Sequence, residues 1–244
     1  MAYRELPPPP ALAGVVRCLW MREATDAEEV LVTPDGCVDV VVRDGHAFVA
    51  GPDTAPVWSH VPAGSITVGV RLRAGTAAAA LGVPADELRD RRVALEDLRG
   101  AAGRRVGGRA GTDPALLVAA LADPLGRGAD PRVVGAVRLL AGTPELPIPA
   151  VAGAVGLGER QLRRAFTHAV GYGPRTFARV ARFRRALVLL RRGDPLARAA
   201  ADAGYADQAH MTREVRALAG RTPTALARDA ARPTKRASNA VARP

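Results

Sequence analysis

Val151-Ala152-Gly153-Ala154-Val155-Gly156-Leu157-Gly158-Glu159-Arg160-Gln161-Leu162-Arg163-Arg164-Ala165-Phe166 decides the reading of this chain, because the stretch returns in altered form near the C-terminus. Ile148, Ala152 and Gly156 recur 48 residues later as Leu196, Ala200 and Gly204. Leu162, Arg164, Gly171 and Pro174 recur 49 residues later as Met211, Arg213, Gly220 and Pro223, so the second copy has one extra residue between Gly204 and Met211. Each copy predicts a short helix, a turn built on Gly, a second helix and then Gly-x-x-Pro. In a helix-turn-helix, Gly supplies the positive φ of the turn and the second helix enters the major groove.

Side-chain spacing gives the second helix of each copy an inner and an outer face. Leu162 with Phe166, and Met211 with Val215, stand four apart and turn inward together. Arg160, Arg163 and Arg164 are left facing outward in the first copy, and Gln208, His210, Thr212 and Arg213 in the second. Arg can read guanine bidentately and Gln can read adenine. A plain bundle of two similar hairpins is the structural alternative, and it predicts no charge preference on the second helix of each pair.

Charge placement separates the two readings. The chain of 244 residues carries a formal net charge of +11. Lys235 is the single lysine, so much of the Arg count reflects a compositional bias that includes Ala, Gly and Pro. That bias acts on the whole chain, yet residues 1–130 hold 14 basic and 17 acidic side chains (net −3), whereas residues 131–230 hold 17 and 7 (net +10). The asymmetry points to an anionic partner for the second half.

The fold class expected is α+β: a mixed α/β N-terminal domain followed by an all-α domain of two helix-turn-helix units joined by a linker helix. Residues 1–100 form the first domain. Val30-Leu31-Val32, Cys37 to Val42 and Ile66 to Leu72 read as strands bounded by turn residues. Gly75 to Leu81 and Ala85 to Arg92 read as helices. Residues 101–130, rich in Gly, Ala and Arg, read as a connector with a dimerising role in view, carrying one helix from Pro114 to Leu121 capped by Asp113. Residues 131–229 form the second domain, with the first helix-turn-helix at about 148–169, a linker helix at about 174–191 and the second helix-turn-helix at about 195–218. Residues 230–244 read as a basic disordered tail.

The residues of this second half resemble the AraC/XylS family of transcription regulators. Val151-Ala152, Val155 to Phe166 and Gly171-Tyr172-Gly173-Pro174 are similar to that family's first helix-turn-helix. Gly204 to Arg213 and Gly220-Arg221-Thr222-Pro223 are similar to its second. The resemblance spans 131–229 and implies two recognition helices reading successive major-groove faces. Carried over by position, the DNA-reading candidates are Arg160, Arg163 and Arg164, then Gln208, Ala209, His210, Thr212 and Arg213, with Ala209 limited to a methyl contact. Gly158 stands where the family commonly has a Ser N-cap and Val215 where it commonly has Phe. The first half is similar, more loosely, to a sensor-like domain of actinobacterial regulators. Thr33-Pro34-Asp35-Gly36-Cys37-Val38-Asp39, Gly69 to Gly75 and Leu88-Arg89-Asp90-Arg91 carry that likeness.

Candidate effector-binding residues are Arg71, Arg73, Trp20 and Trp58. Strand alternation already explains the two arginines as a solvated face, core packing is the default for the two tryptophans, and turn chemistry and a strand end explain Asp35 and Asp39. Enzyme classes find no support. Cys18 and Cys37 are too few for a four-cysteine zinc site, the four histidines lack ligand spacing, and no P-loop, G-x-S-x-G or H-E-x-x-H occurs. No cofactor or metal is expected. No run reaches the roughly 18 apolar residues of a membrane span, and the N-terminus lacks the pattern of a signal peptide, so a cytoplasmic protein is expected. The partners expected are double-stranded DNA first, then a small-molecule effector, a second copy of the chain and RNA polymerase. A DNA-binding architectural protein without effector, or a helical-bundle enzyme or interaction protein, is the rival reading.

Overall fold

A computed structural model describes residues 2–125 and 128–231; the expected tail from 232 onward lies outside the described residues. The first half is β-rich. Strands β1 (Ala2–Leu6), β2 (Val16–Glu23), β4 (Val38–Arg43), β5 (His46–Ala50), β7 (Ile66–Leu72) and β8 (Arg92–Ala94) form one sheet in the order β1-β2-β7-β4-β5-β8. Every pairing in it is antiparallel. Strands β3 (Glu28–Val32) and β6 (Val57–Val61) form a separate antiparallel ribbon.

Alternation along the strands gives the sheet two different faces. Val38, Val40, Val42, Val68, Val70 and Leu72 turn to one side and build the apolar core of this half. Cys18, Trp20 and Val41 turn to the other, among polar neighbours. The helices of the first half are α1 (Ala77–Leu81), α2 (Leu95–Arg99), α3 (Ala101–Ala110), α4 (Pro114–Ala120) and α5 (Ala122–Leu125). The stretch read as a connector is therefore helical, and Val106, Ala110, Leu117, Val118, Leu121 and Leu125 belong to the first core. Two of its glycines, Gly103 and Gly107, serve close packing: a Cβ on Gly107 would stand 2.0 Å from the carbonyl oxygen of Gly45. The helix expected over Ala85 to Arg92 is instead a single 3-10 turn, Ala85–Glu87, followed by β8. Asp90, with φ of 56°, breaks the chain between them.

The second half contains α6 (Pro131–Gly142), α7 (Ile148–Ala154), α8 (Glu159–Val170), α9 (Pro174–Arg191), α10 (Leu196–Asp202), α11 (Gln208–Ala219) and α12 (Pro223–Ala231). The sequence repeat is a structural repeat. Helices α7 and α10 both span 7 residues, and α8 and α11 both span 12. Gly156 and Gly204, at the two inner turns, have φ of 69° and 85°. Gly171 and Gly220 end α8 and α11 in the left-handed region. Leu162, Phe166, Met211 and Val215 are all fully buried, so Val215 fills its place in the core without the larger ring. Helix α9 runs between the two units with Phe177, Val180, Phe183, Ala186 and Leu190 buried. Its 18 residues span about 27 Å at about 1.5 Å per residue.

The halves touch at defined points. Gly36, with φ of 80°, lies so close to Phe177 of α9 that a Cβ there would stand 2.8 Å from its ring. Gly171 sits equally close to Pro52 and to the carbonyl of Ala85, and Gly220 faces Pro56. The ends of α8 and α11 thus meet the same segment of the first half, residues 51–56.

Candidate nucleic-acid interface and adjoining cavity

Helix α8 begins at Gly158, which offers no side chain to cap it; Gln161 accepts from the Gly158 N–H at 3.1 Å and satisfies one terminal donor. With Leu162 and Phe166 held in the core, Arg160, Arg163 and Arg164 are exposed together on the opposite face. Helix α11 is capped by Asp207, whose carboxylate accepts from the His210 N–H at 2.6 Å. Gln208, Ala209 and Arg213 are exposed on it. His210 and Thr212 are half-buried. The His210 ring stands edge-on to Tyr205 at 5.3 Å, and the Thr212 hydroxyl donates to the Gln208 carbonyl at 2.8 Å. The five arginine and amide candidates, Arg160, Arg163, Arg164, Gln208 and Arg213, are therefore all exposed, whereas His210 and Thr212 are tied into α11's own packing.

One arrangement around α11 was not legible in the sequence. Glu214, the single acidic residue of α11, accepts from Arg179 Nε at 2.7 Å and lies 3.7 Å from Arg182, both on α9. Arg182 in turn stacks on the Tyr205 ring at 5.8 Å. Helix α11 is thereby oriented by charge against α9. An isolated acid on a basic helix was the available signal.

On the polar face of the sheet, a cavity of about 110 Å³ lies between the sheet and the β3/β6 ribbon. Of the effector candidates, Trp20 and Arg71 line it; Arg73 and Trp58 do not. Trp58 is 61% exposed on the outside of the ribbon. Arg73 is exposed and donates to the Ala13 carbonyl at 2.7 Å, along a groove of about 710 Å³ between the halves. Arg71 is not a solvated strand residue either. It is buried and bidentate on Asp39 at 3.0 Å, its cross-strand neighbour, with Asp35 and Glu5 at 3.8 Å.

Asp35 does more than make a turn. Its carboxylate accepts from the Cys37 N–H at 2.8 Å, as turn chemistry predicts, and also meets Arg184 of α9 at 3.2 Å. Burial alone would raise its pKa, but the charges of Arg71 and Arg184 prevail and hold it below the ordinary carboxylate range. Burial likewise opposes the charge on Arg71, and its carboxylates overcome this, raising it well above the usual value. The two cysteines are free and buried, and burial pushes Cys18 up to about 12 and Cys37 up to about 11, which keeps both as unreactive thiols. Among the described residues no His, Cys, Asp and Glu cluster could hold a metal ion, and no helix is long and apolar enough to cross a membrane.

Residues 4–94 match a family described as a domain of unknown function (DUF6597), and residues 133–229 match one described as a helix-turn-helix domain. No curated protein matches the chain. Among solved structures, a transcriptional regulator with an AraC-type DNA-binding domain from Chromobacterium violaceum is 26% identical, covering 43% of this chain and 96% of its own, with a TM-score of 0.41. A probable AraC family regulator from Rhodopseudomonas palustris is 24% identical over 41% of this chain and 98% of its own, with a TM-score of 0.37. Apo ToxT from Vibrio cholerae is 10% identical over 86% of this chain and 96% of its own, with a TM-score of 0.46. The matched helix-turn-helix region coincides with the two repeated units, so residues 133–229 are a helix-turn-helix domain, which makes the chain a DNA-binding transcriptional regulator.

Proposed function

We propose that α8 and α11 are paired recognition helices that read successive major-groove segments on one face of the duplex, under the control of the β-rich half. The observation that carries this reading is the repeat itself. Two helices of equal length each bury an apolar pair and expose Arg160, Arg163 and Arg164 in one case and Gln208, Ala209 and Arg213 in the other. A linker of about 27 Å suits two grooves about one turn apart better than it suits a single site. The surplus of positive charge in this half supplies phosphate contacts and a steep salt dependence. His210 and Thr212 are weaker reading candidates, because each already has a partner within the fold.

Control by the first half is supported by its contacts with the DNA-binding half. Gly36 presses on Phe177, which packs edge-on against Phe166 of α8 at 5.5 Å, so one residue, Phe177, stands between the Thr33–Cys37 loop and the first recognition helix. The reading assigns no catalytic step to the chain. It places the protein with the chromosome in the cytoplasm, and gives it a second copy of the chain and RNA polymerase as candidate partners, the first checked by light scattering.

The test is selection of bound DNA from a random duplex library with the full chain at near-physiological salt. Two enriched blocks about 10 bp apart are expected. Enrichment of one block would confine base reading to one unit, and no enrichment at any salt would overturn the proposal.

A further inference from the structure

Helices α8 and α11 match position by position. Each runs for 12 residues from an extended cap to a left-handed glycine. The buried positions of α8 are Leu162, Phe166, Ala169 and Val170; those of α11 are Met211, Val215, Leu218 and Ala219, every one 49 residues further on. Two helices that bury the same four positions expose the same face, so their outward residues compare one for one.

At about 100° per residue, the direction opposite the buried set falls nearest 160 and 164 in α8, and nearest 209 and 213 in α11, within the first half of each helix. The outward pairs are therefore Arg160 with Ala209 and Arg164 with Arg213, all four exposed. Arg163 and its counterpart Thr212 stand about a quarter turn to the side, and the Thr212 hydroxyl is already given to the Gln208 carbonyl at 2.8 Å. A flank of this kind suits a phosphate strand better than a base edge. Among the described residues, none of Arg160, Arg164 and Arg213 lies within ion-pair distance of a carboxylate. The linker helix shows the contrast, with Arg179, Arg182 and Arg184 all paired to carboxylates. The guanidiniums left uncommitted are those on the outward face.

On the reading of α8 and α11 as paired recognition helices, we propose that the two operator blocks share one guanine, read by Arg164 in the first and by Arg213 in the second. They part at the neighbouring read position, where Arg160 selects a second guanine and Ala209 selects thymine. A guanidinium fits O6 and N7 of guanine with two hydrogen bonds, whereas a methyl group meets only the C5-methyl of thymine and leaves purine acceptors unanswered. Residues four apart rise about 6 Å along a helix, against about 3.4 Å per base step, so the two read positions lie within about two base pairs of one another. Ala209 is thereby the residue that makes the two blocks differ.

The test selects bound duplexes from a random library with the full chain, then measures anisotropy on the selected site with single base-pair changes. A guanine in each block is expected. Arg164→Ala should abolish that preference in the first block alone and Arg213→Ala in the second alone, each a loss of about tenfold in discrimination, with Arg213→Lys keeping part of it. Ala209→Arg should replace the thymine preference of the second block by a guanine preference of about tenfold, a gain that a misfolded variant cannot imitate. Blocks without a guanine in each, an Arg213→Ala variant with the parent's preference, or an Ala209→Arg variant with no new guanine would overturn the proposal. Two enriched blocks of other sequence remove this base assignment and sustain the paired reading; a single block, or none, removes both.

Discussion

Asp35 and Arg184, 149 positions apart in the chain, stand 3.2 Å from one another, and the same Asp35 oxygen lies 3.8 Å from Arg71 in the sheet. One carboxylate therefore joins the floor of the cavity to the linker helix of the DNA-binding half. Arg184→Met should lower stability by about 1–2 kcal/mol, as Asp35 keeps Arg71. Asp35→Asn should cost more, about 2–4 kcal/mol, because it leaves two guanidiniums short of a carboxylate. Urea unfolding of both variants checks the order.

The same residue sets a pH dependence. Asp35 is held below its unfolded value, so its contribution is present above about pH 4 and is lost as the pH falls through the lower folded value. Asp39 acts in the opposite sense, burial pushing its carboxyl up against the pull of Arg71. The measurement is accordingly the difference in unfolding free energy between wild type and Asp35→Asn. That difference should stay constant from pH 7 to about pH 4 and shrink below it; a difference already falling at pH 6 would contradict the assigned direction.

Arg164→Ala should weaken binding to a selected site by about 1–3 kcal/mol if the side chain reads a base, and relax preference at one position. Anisotropy with the selected site and a scrambled duplex separates this from loss of a phosphate contact, which weakens both duplexes alike.

Glu214→Gln removes the charge that ties α11 to Arg179 and Arg182. Expected is loss of preference in the second block of the operator with the first block retained, read by repeating the DNA selection with the variant. Loss of both blocks together would mean that Glu214 supports the whole domain rather than one helix.

Gly158→Ser should raise the melting temperature slightly, by a few tenths of a kcal/mol in stability, because α8 gains a side-chain cap. Gly158 is already extended at ψ of 154°, and a Cβ there meets nothing closer than Gln161 Oε1 at 3.6 Å. Calorimetry of the two proteins is sufficient.

The helical half was readable because period, Gly placement and charge all repeat, and each copy checks the other. In the sheet only β4 and β7, and part of β3, were readable. Strand β2 hides its alternation, since Cys18, Leu19 and Trp20 are buried on both faces, and β8 lies within residues whose composition suits a helix. The Gly and Ala content of α3 looked like a linker because close backbone approach and flexibility select the same residues. Arg71 read as solvated because its partners Asp39 and Asp35 lie 32 and 36 positions away, and only strand register brings them across from it. Local pattern reports a face. It does not report what covers that face.

Gly171 and Gly220 close their helices against a single segment, next to Pro52 and Pro56. A stop shared by two pointers fixes the interval between them. Any rearrangement that slides this segment carries both pointers in one stroke, so the interval between them would be kept while their common orientation changed.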